Sequence, residues 1–199
     1  MAHDKYHPCQ GLADMQGLWQ HMGRENLKGK KLLQVWGNGA LARSWCSVQE
    51  SMLICSRFGM DVTLAHPEGY DLDPEVVEAT RKNCEANGQK FEISHDPVES
   101  YDGAHVVYSR NWMHKDTYHD GEMHKAEEVE RALKLTDWIC DEEKMRRTEN
   151  AFYTHPMPID RGHEVSDGVA SGDRSIIYDV AENRLHVQKA IMALTMGDL

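Results

Sequence analysis

Apolar residues recur at every third or fourth position in several stretches of the chain, a spacing that predicts helices with one buried face. Leu12, Met15, Trp19 and Met22 form the first of these stripes. At residue 73 an aspartate precedes a proline, the usual order of a capping residue and a first helical residue. The pattern predicts helices over residues 11–22, 45–59, 73–88, 141–147 and 182–195, and a short helix between residues 94 and 104.

Short apolar runs between the helical stripes predict strands. Most of these runs are bounded by polar or glycine-containing turns, as is typical of buried strands. The predicted strands cover residues 32–36, 60–65, 90–94, 104–108, 138–139, 151–154 and 175–178. Residues 116–135 are polar and charged, which predicts a mobile loop that enters a solvated helix.

Strands and helices alternate along the chain, and this order predicts parallel strands joined by right-handed crossovers. We therefore predict a single domain over residues 1–199. It is of the α/β class, a three-layer, Rossmann-like sandwich whose parallel sheet of about five strands carries helices on both faces.

Composition narrows the classes of function. The chain has 22 Lys and Arg against 33 Asp and Glu, a net charge of −11, which argues against a large nucleic-acid interface. No apolar run approaches the roughly 20 residues that span a bilayer. Residues 1–5 show no export signal. Five irregularly spaced cysteines without a C-x-x-C motif predict no disulfide framework and a reducing, cytoplasmic location.

The loops that follow the strands are the first place to look for chemistry, because ligands of parallel sheets bind beyond the carboxyl ends of the strands. Gly37-x-Gly39-x-x-Ala42 follows a predicted strand and has the outline of a dinucleotide fingerprint. The same glycines also fit a plain strand-to-helix turn. Glu68 would be the acidic partner of the ribose in the first interpretation.

Three further segments carry candidate side chains, each with a structural alternative. Residues 7–10, His-Pro-Cys-Gln, offer donors for a carbonyl oxygen or simply a proline-ordered start to a helix. Arg184 suits a phosphate or polarised carbonyl, or a salt bridge with Glu182. His155 begins a turn with two prolines, which holds the histidine rigidly or serves the fold alone.

Metal and covalent chemistry find little support in the sequence. His114, His119 and His124 are five residues apart, a step that puts them on different faces of a helix. Cys9 and Cys46 lack a neighbouring base that would make either a nucleophile. We predict no metal and no cofactor.

Taken in order, these segments resemble the second half of the aspartate/ornithine carbamoyltransferases, closest to the knotted N-acetylornithine branch. The resemblance covers nearly the whole chain. It is carried by H-P-C-Q-x-L-A-D from residue 7, K-G-K-K from 28, G-M-D-V-T from 59, H-P-E-G-Y from 66, D-G-A-H-V-V-Y from 102, the Trp at 112, H-P-M-P from 155 and D-x-A-E-N-R from 179.

The resemblance implies that the chain binds carbamoyl phosphate and an amino-acid acceptor and transfers the carbamoyl group to the acceptor's amine. The implied catalytic residues are His7, Gln10, His155 and Arg184. Met157 and Pro158 belong to the turn whose backbone faces the carbamoyl nitrogen. On the acceptor side, the implied contacts are Asn38, Arg110 and Trp112. The family forms trimers, so a homo-oligomer is expected.

Three departures from the family pattern affect the prediction. The amino-terminal, carbamoyl-phosphate-binding domain with its Ser-Thr-Arg-Thr loop has no counterpart in these residues. Activity is therefore expected only with a complementary half, and an apolar exposed surface is expected around residues 1–22. Pro156 stands where the family has cysteine, and Gly37-Asn38-Gly39 replaces a proline-rich loop. The alternatives are a non-catalytic amino-acid-binding or interaction module, and a dinucleotide-binding domain.

Overall fold

Five parallel strands form the centre of the molecule in the computed structural model, which describes residues 5–119 and 122–197. The order across the sheet is β3-β2-β1-β4-β7. A short antiparallel hairpin, β5 with β6, lies outside this sheet. The strands are β1 (Lys31–Trp36), β2 (Asp61–Ala65), β3 (Phe91–Ser94), β4 (Val106–Arg110), β5 (Tyr118–His119), β6 (Glu122–Met123) and β7 (Phe152–Thr154).

Helices alternate with the strands of the main sheet, as the apolar spacing predicts. They are α1 (Pro8–Met22), α2 (Cys46–Arg57), α3 (Pro74–Asn87), α4 (Lys125–Ala132), α5 (Glu142–Met145), α6 (Asp167–Ala170) and α7 (Ile177–Met196). α1 packs against both α2 and α7, and α2 packs against α3. The predicted α/β class with a parallel sheet of about five strands is confirmed.

Local sequence signals explain several helix ends. The Asp73 carboxylate accepts a hydrogen bond from the Glu75 N–H, and Pro74 occupies the first turn of α3. Gly88 ends the same helix in the left-handed conformation, at φ 71°, which glycine adopts without steric cost. The prediction of a helix over residues 73–88 is therefore confirmed together with its caps.

Large aromatic side chains fill the core at the centre of the sheet. Trp36, at the end of β1, lies 4.7 Å from the Tyr70 ring and 6.3 Å from the Trp138 ring, measured between centroids. All three side chains are buried, and so is Trp112, whose carbonyl accepts the Trp36 indole N–H. This cluster fixes the loops that leave β1, β2 and β4.

Two predicted strands are wrong. Residues 136–138 form a 3-10 helix, because Trp138 is buried through side-chain packing on Trp36 rather than through pairing in a sheet. Residues 175–178 make one isolated bridge, from Ser175 to Tyr153, and then enter α7. The last helix thus begins at Ile177 instead of residue 182, since Ile177 and Val180 already have helical spacing and are buried.

Candidate functional site

The carboxyl ends of three neighbouring strands bring three loops together. β1, β4 and β7 are adjacent in the sheet and end at Trp36, Arg110 and Thr154. The Gly37 N–H donates to the Arg110 carbonyl at 2.9 Å, so the first two loops touch directly after their strands. This is the edge where the sequence predicts a ligand.

The two glycines after β1 allow these loops to approach one another. A Cβ at Gly37 would lie 3.2 Å from the Glu164 backbone, and a Cβ at Gly39 would lie 2.8 Å from the Asn111 side chain. The space that a dinucleotide fingerprint leaves for a pyrophosphate is therefore filled by the protein's own loops. α2 begins only at Cys46, well beyond the glycines. The geometry favours the plain turn.

Gln10 and Arg184 come together where α7 crosses α1. A Cβ at Gly17 would lie 2.6 Å from a methyl group of Val180, so the missing side chain permits the close crossing. Arg184 lies one turn beyond Val180, and its Nη1 donates to Gln10 Oε1 at 2.7 Å. The alternative pairing with Glu182 is not seen, since Glu182 lies 3.6 Å from His186.

Gln10 also connects Arg184 to a buried carboxyl group. Gln10 Nε2 donates to Asp14 Oδ1 at 2.7 Å, and Asp14 is only 2% exposed. Burial raises the pKa of Asp14 to about 8, although the Gln10 hydrogen bond and the Arg184 charge act in the opposite direction. Asp14 is therefore neutral at pH 7 and leaves the positive charge of Arg184 uncompensated.

His7 is the N-cap residue of α1, beside the same cluster. Its carbonyl accepts hydrogen bonds from the Gln10 and Gly11 N–H groups, at 2.8 and 3.1 Å. Its own N–H donates to Glu50 Oε2 at 3.1 Å. The Glu50 carboxylate lies against Gly11, at the positive end of the helix dipole, and so holds the H-P-C-Q segment in place.

His155 is fully buried at the end of β7, and its ring is locked from both sides. Nδ1 accepts the Met157 N–H at 3.0 Å, and Nε2 lies 3.1 Å from Glu164 Oε2. Because Nδ1 is an acceptor, the proton of the neutral ring is on Nε2, the nitrogen beside the carboxylate. Burial lowers the pKa of His155 despite Glu164, with Arg110 and Arg43 acting in the same direction as burial. The ring is therefore neutral.

The turn after His155 carries backbone strain. Met157 has φ 58°, in the left-handed region that side chains other than those of Asn and Asp seldom adopt. The next residue is fixed from outside the turn, because Arg43 Nη1 donates to the Pro158 carbonyl at 2.8 Å. A strained conformation held by surrounding contacts is common at functional sites.

Arg110 ends β4, the strand beside β7, whose carboxyl end leads into the His155 turn. Its side chain is 9% exposed, and the described part of the chain places no carboxylate within 4.0 Å of the guanidinium. Its charge lowers the pKa of both Asp14 and His155. A buried guanidinium without an acidic partner is suited to the carboxylate of a ligand.

Asn38 and Trp112 are engaged inside the protein. Asn38 Nδ2 donates to the Ala132 carbonyl at 3.2 Å, and the residue is 3% exposed. The Trp112 indole N–H donates to the Tyr70 carbonyl at 2.8 Å, and its ring has no exposed surface. Both side chains are therefore buried and hydrogen-bonded to backbone carbonyls of other segments.

Sequence reasoning missed Arg43 and Glu164. Arg43 lies in the loop after β1, and Glu164 lies six residues beyond Pro158. Neither belongs to a motif. Their positions in polar loops at the carboxyl edge were a signal, but only the fold shows that both contact the His155 turn.

The described residues hold no cluster of three or more His, Cys, Asp or Glu side chains suited to a metal ion. Of the three evenly spaced histidines, His114 lies 3.7 Å from Asp116 and His124 lies 3.4 Å from Glu127. The side chain of His119 is outside the described part of the structure. All five cysteines are free thiols. Across the described residues, none of the helices has the length and apolar character needed to cross a membrane.

The fold and this edge define the amino-acid-binding domain of a group-transfer enzyme family. A model of that family, described as "Aspartate/ornithine carbamoyltransferase, Asp/Orn binding domain", matches residues 19–195. The chain therefore belongs to the aspartate/ornithine carbamoyltransferase family, as the sequence motifs indicate.

Individual relatives agree with the family match. The N-acetylornithine carbamoyltransferase of Xylella fastidiosa is 36% identical over 188 residues, which are 94% of this chain and 55% of the relative. The ornithine carbamoyltransferase of Thermococcus kodakarensis is 35% identical over 197 residues, 98% of this chain and 58% of the relative. The chain spans just over half the length of these relatives.

Solved structures show the same likeness. Acetylornithine transcarbamylase complexed with acetylcitrulline matches with a TM-score of 0.88 and 35% identity, over 95% of this chain and 56% of the other. A mutant of N-acetyl-L-ornithine transcarbamylase, complexed with carbamyl phosphate and N-succinyl-L-norvaline, matches with a TM-score of 0.87. The TM-scores agree with the parallel sheet and crossovers described above.

Proposed function

We propose that this chain is the acceptor-binding part of a carbamoyltransferase that acts on ornithine or an N-acylated ornithine. The observation that carries the proposal is Arg110, a buried guanidinium without an acidic partner at the end of β4, beside the strand that leads into the His155 turn. The names of the relatives support the substrate class.

The proposed reaction joins an amine to the carbonyl carbon of carbamoyl phosphate. The new C–N bond forms, the C–O bond to phosphate breaks with its electron pair, and the amine loses a proton. In this proposal His7, Gln10 and Arg184 stabilise the carbonyl oxygen as it becomes negative. The backbone between His155 and Pro158 faces the carbamoyl nitrogen, and Arg110 binds the acceptor carboxylate. No covalent intermediate is required, because positioning two reactants accounts for a large part of such rates.

The proposal includes a complementary, carbamoyl-phosphate-binding half and further copies of the chain. Several large apolar side chains are exposed at the end of α7, and this exposed surface supports the proposal that other polypeptides pack there. Leu194 is 72% and Met196 81% exposed. An apolar surface is expected around residues 1–22, and from residue 5 onward the exposed large apolar side chains there are Tyr6 and Leu12, each 39% exposed. Such surfaces are typical of interfaces.

The test combines binding and turnover. Calorimetry of the chain with ornithine, acetylornithine and aspartate measures acceptor binding. Transfer is then measured as citrulline-type product from carbamoyl phosphate, with and without a purified carbamoyl-phosphate-binding half. We expect product only in the complemented mixture. Arg184→Ala should lower its rate by about 10²–10³, the usual effect of losing one preorganised donor to an oxyanion.

Glu182→Gln is the matched control, since Glu182 lies on the same helix and its side chain is 71% exposed. It should leave the rate unchanged. Acceptor binding without product in any mixture would replace the proposal by a non-catalytic amino-acid-binding module, an outcome compatible with Pro156. Binding of NAD instead of amino acids would contradict both.

A further inference from the structure

Glu164 is a fully buried carboxylate to which none of the expected roles applies. Oε1 accepts the Asn111 N–H at 2.7 Å, and Oε2 accepts the Asp160 N–H at 2.8 Å. Oε2 also lies 3.1 Å from His155 Nε2, while Oε1 lies 3.8 Å from Arg43 Nε. Each oxygen therefore faces a different loop of the candidate site.

The backbone of Glu164 is equally fixed. Its carbonyl accepts the Cys140 N–H at 3.0 Å and the Ser109 hydroxyl at 2.9 Å. Its Cα lies against Gly37, where no side chain would fit without displacement. The carboxylate is thus held by the fold itself and does not depend on a mobile side chain for its position.

The two oxygens contact segments with different proposed tasks. Asn111 follows Arg110 directly, so Oε1 fixes the segment assigned to the acceptor carboxylate. Oε2 accepts the Asp160 N–H and lies 3.1 Å from His155 Nε2, so it fixes the turn assigned to the carbamoyl group. Burial by itself would raise the pKa of Glu164, but the His155 contact, the Arg43 charge and the Asn111 N–H together hold it below its ordinary value. The group is therefore an anion that accepts from both sides.

We propose that Glu164 is a positioning residue, one buried carboxylate that sets the geometry between the Arg110–Asn111 segment and the His155 turn. The inference rests on the proposed function, because it gives these two segments their tasks. It assigns no contact with substrate to Glu164.

Glutamine at this position tests the proposal, because its side chain has one acceptor oxygen in place of two. The carboxylate accepts at both ends, so the NH₂ of Glu164→Gln must face a donor on one side. Hydrogen exchange on the isotope-labelled 199-residue chain reports the Asn111 and Asp160 amides, and ring ¹⁵N shifts report the tautomer of His155. We expect exchange at one of the two amides to rise on the order of 10-fold to 100-fold, the effect of losing a hydrogen bond to a charged group.

Glu164→Ala should release both amides and free the His155 ring to sample its other tautomer. The amides of β2 are the internal reference, since a carboxylate that only stabilised the fold would change exchange there as well. Glu128→Gln is the matched control, because Glu128 is 2% exposed and lies 3.3 Å from Arg131 on α4. It should leave residues 111 and 155–160 unchanged.

Acceptor binding separates this inference from the proposed function. Both Glu164 variants should weaken acetylornithine binding about 10-fold or more, as loss of one charged hydrogen bond would. If the unaltered chain binds no acceptor, the proposed function fails, and exchange with the ¹⁵N shifts still decides whether Glu164 joins the two segments. Unchanged exchange and tautomer in both Glu164 variants, or equal changes in Glu128→Gln, would overturn the inference.

Discussion

Asp14 and Glu164 are two buried carboxyl groups at the same edge of the sheet, yet they differ in charge. Asp14 is 2% exposed and Glu164 is fully buried, and arginine charges lower the pKa of both carboxyl groups. The pKa of Asp14 rises to about 8, while that of Glu164 falls below its ordinary value. Burial and arginine charges are common to both, so neither explains the difference.

The number of donors does explain it. Asp14 accepts one hydrogen bond, from Gln10 Nε2 at 2.7 Å, and its Oδ2 has no partner among the described residues. Glu164 accepts two backbone N–H groups, one on each oxygen, and its Oε2 also lies 3.1 Å from His155 Nε2. A carboxylate that accepts several N–H bonds is stabilised as an anion even without water.

The difference also sets the electrostatics of the site. Neutral Asp14 adds nothing to the negative charge of Glu50, so it leaves the field of Arg184 and Arg110 more positive than an ionised Asp14 would. That field favours an anionic ligand such as a phosphate or an amino-acid carboxylate. Charged Glu164 compensates Arg43 and holds a neutral His155 in one tautomer. One carboxyl group thus leaves charge for the ligand, and the other fixes the loops around it.

Replacing Glu164, the carboxylate with more hydrogen-bond donors, should lower the free energy of unfolding more than the other substitutions do. Glu164→Ala leaves the N–H groups of Asn111 and Asp160 without their acceptor and Arg43 without its anion. Loss of one partner of a buried ion pair typically lowers the free energy of unfolding by about 3–5 kcal/mol. Urea unfolding at pH 7 measures it. A loss below about 1 kcal/mol would show that Glu164 is no better satisfied than Asp14, against the comparison.

Replacing Asp14, the carboxyl group with fewer donors, should raise the free energy of unfolding instead of lowering it. Between pH 3.8, the ordinary pKa of an aspartate, and about 8, native Asp14 keeps a proton that the unfolded chain releases. Native stability therefore falls as pH rises through this window, by about 1.4 kcal/mol for each pH unit. Asp14→Asn removes that dependence, so the variant should gain about 3 kcal/mol over the unaltered chain at pH 6 and nothing below pH 4.

Unfolding curves recorded from pH 4 to pH 9 check this prediction. Glu85→Gln, an exposed change on α3, is the control and should leave the slope unchanged. A difference between Asp14→Asn and the unaltered chain that stays constant across the range would mean that Asp14 is ionised in the native state.

The sheet and most helices were predictable because their signals are local. The stripe of Leu12, Met15 and Trp19 and the Asp73-Pro74 cap fix helices with few alternatives. Short apolar runs are ambiguous, and both wrong strands came from them. Ile176 and Ile177 fit a strand as well as a helix until the approach of α7 to Gly17 decides between the two.

Half of the site was predictable from motifs, and the other half depends on tertiary contacts. Gln10, His155 and Arg184 stand in segments that a family resemblance identifies. Glu164 and Arg43 do not, because their importance comes from which loops the strand order makes neighbours. Charge states are harder still to predict. In the sequence Asp14 and Glu164 are both simply acidic residues, and only the number of hydrogen-bond donors around each carboxyl group in the fold explains why one is neutral and the other charged.

The smallest change in stability is expected on removal of Gln10, the residue that donates the hydrogen bond to Asp14. Gln10→Ala removes the hydrogen bond that opposes the rise in the Asp14 pKa and also the acceptor of Arg184. The free energy of unfolding should fall by about 1–2 kcal/mol, the usual result of leaving a buried polar group unsatisfied.

The pH range over which stability falls should extend above pH 8 in this variant, because the neutral form of Asp14 is favoured further. Gln20→Ala is the control, since it removes another hydrogen bond between α1 and α7, with Asn183, in which Asp14 takes no part. If Gln10→Ala shifts the window no more than Gln20→Ala, donors do not set the charge of Asp14, and the contrast with Glu164 needs another cause.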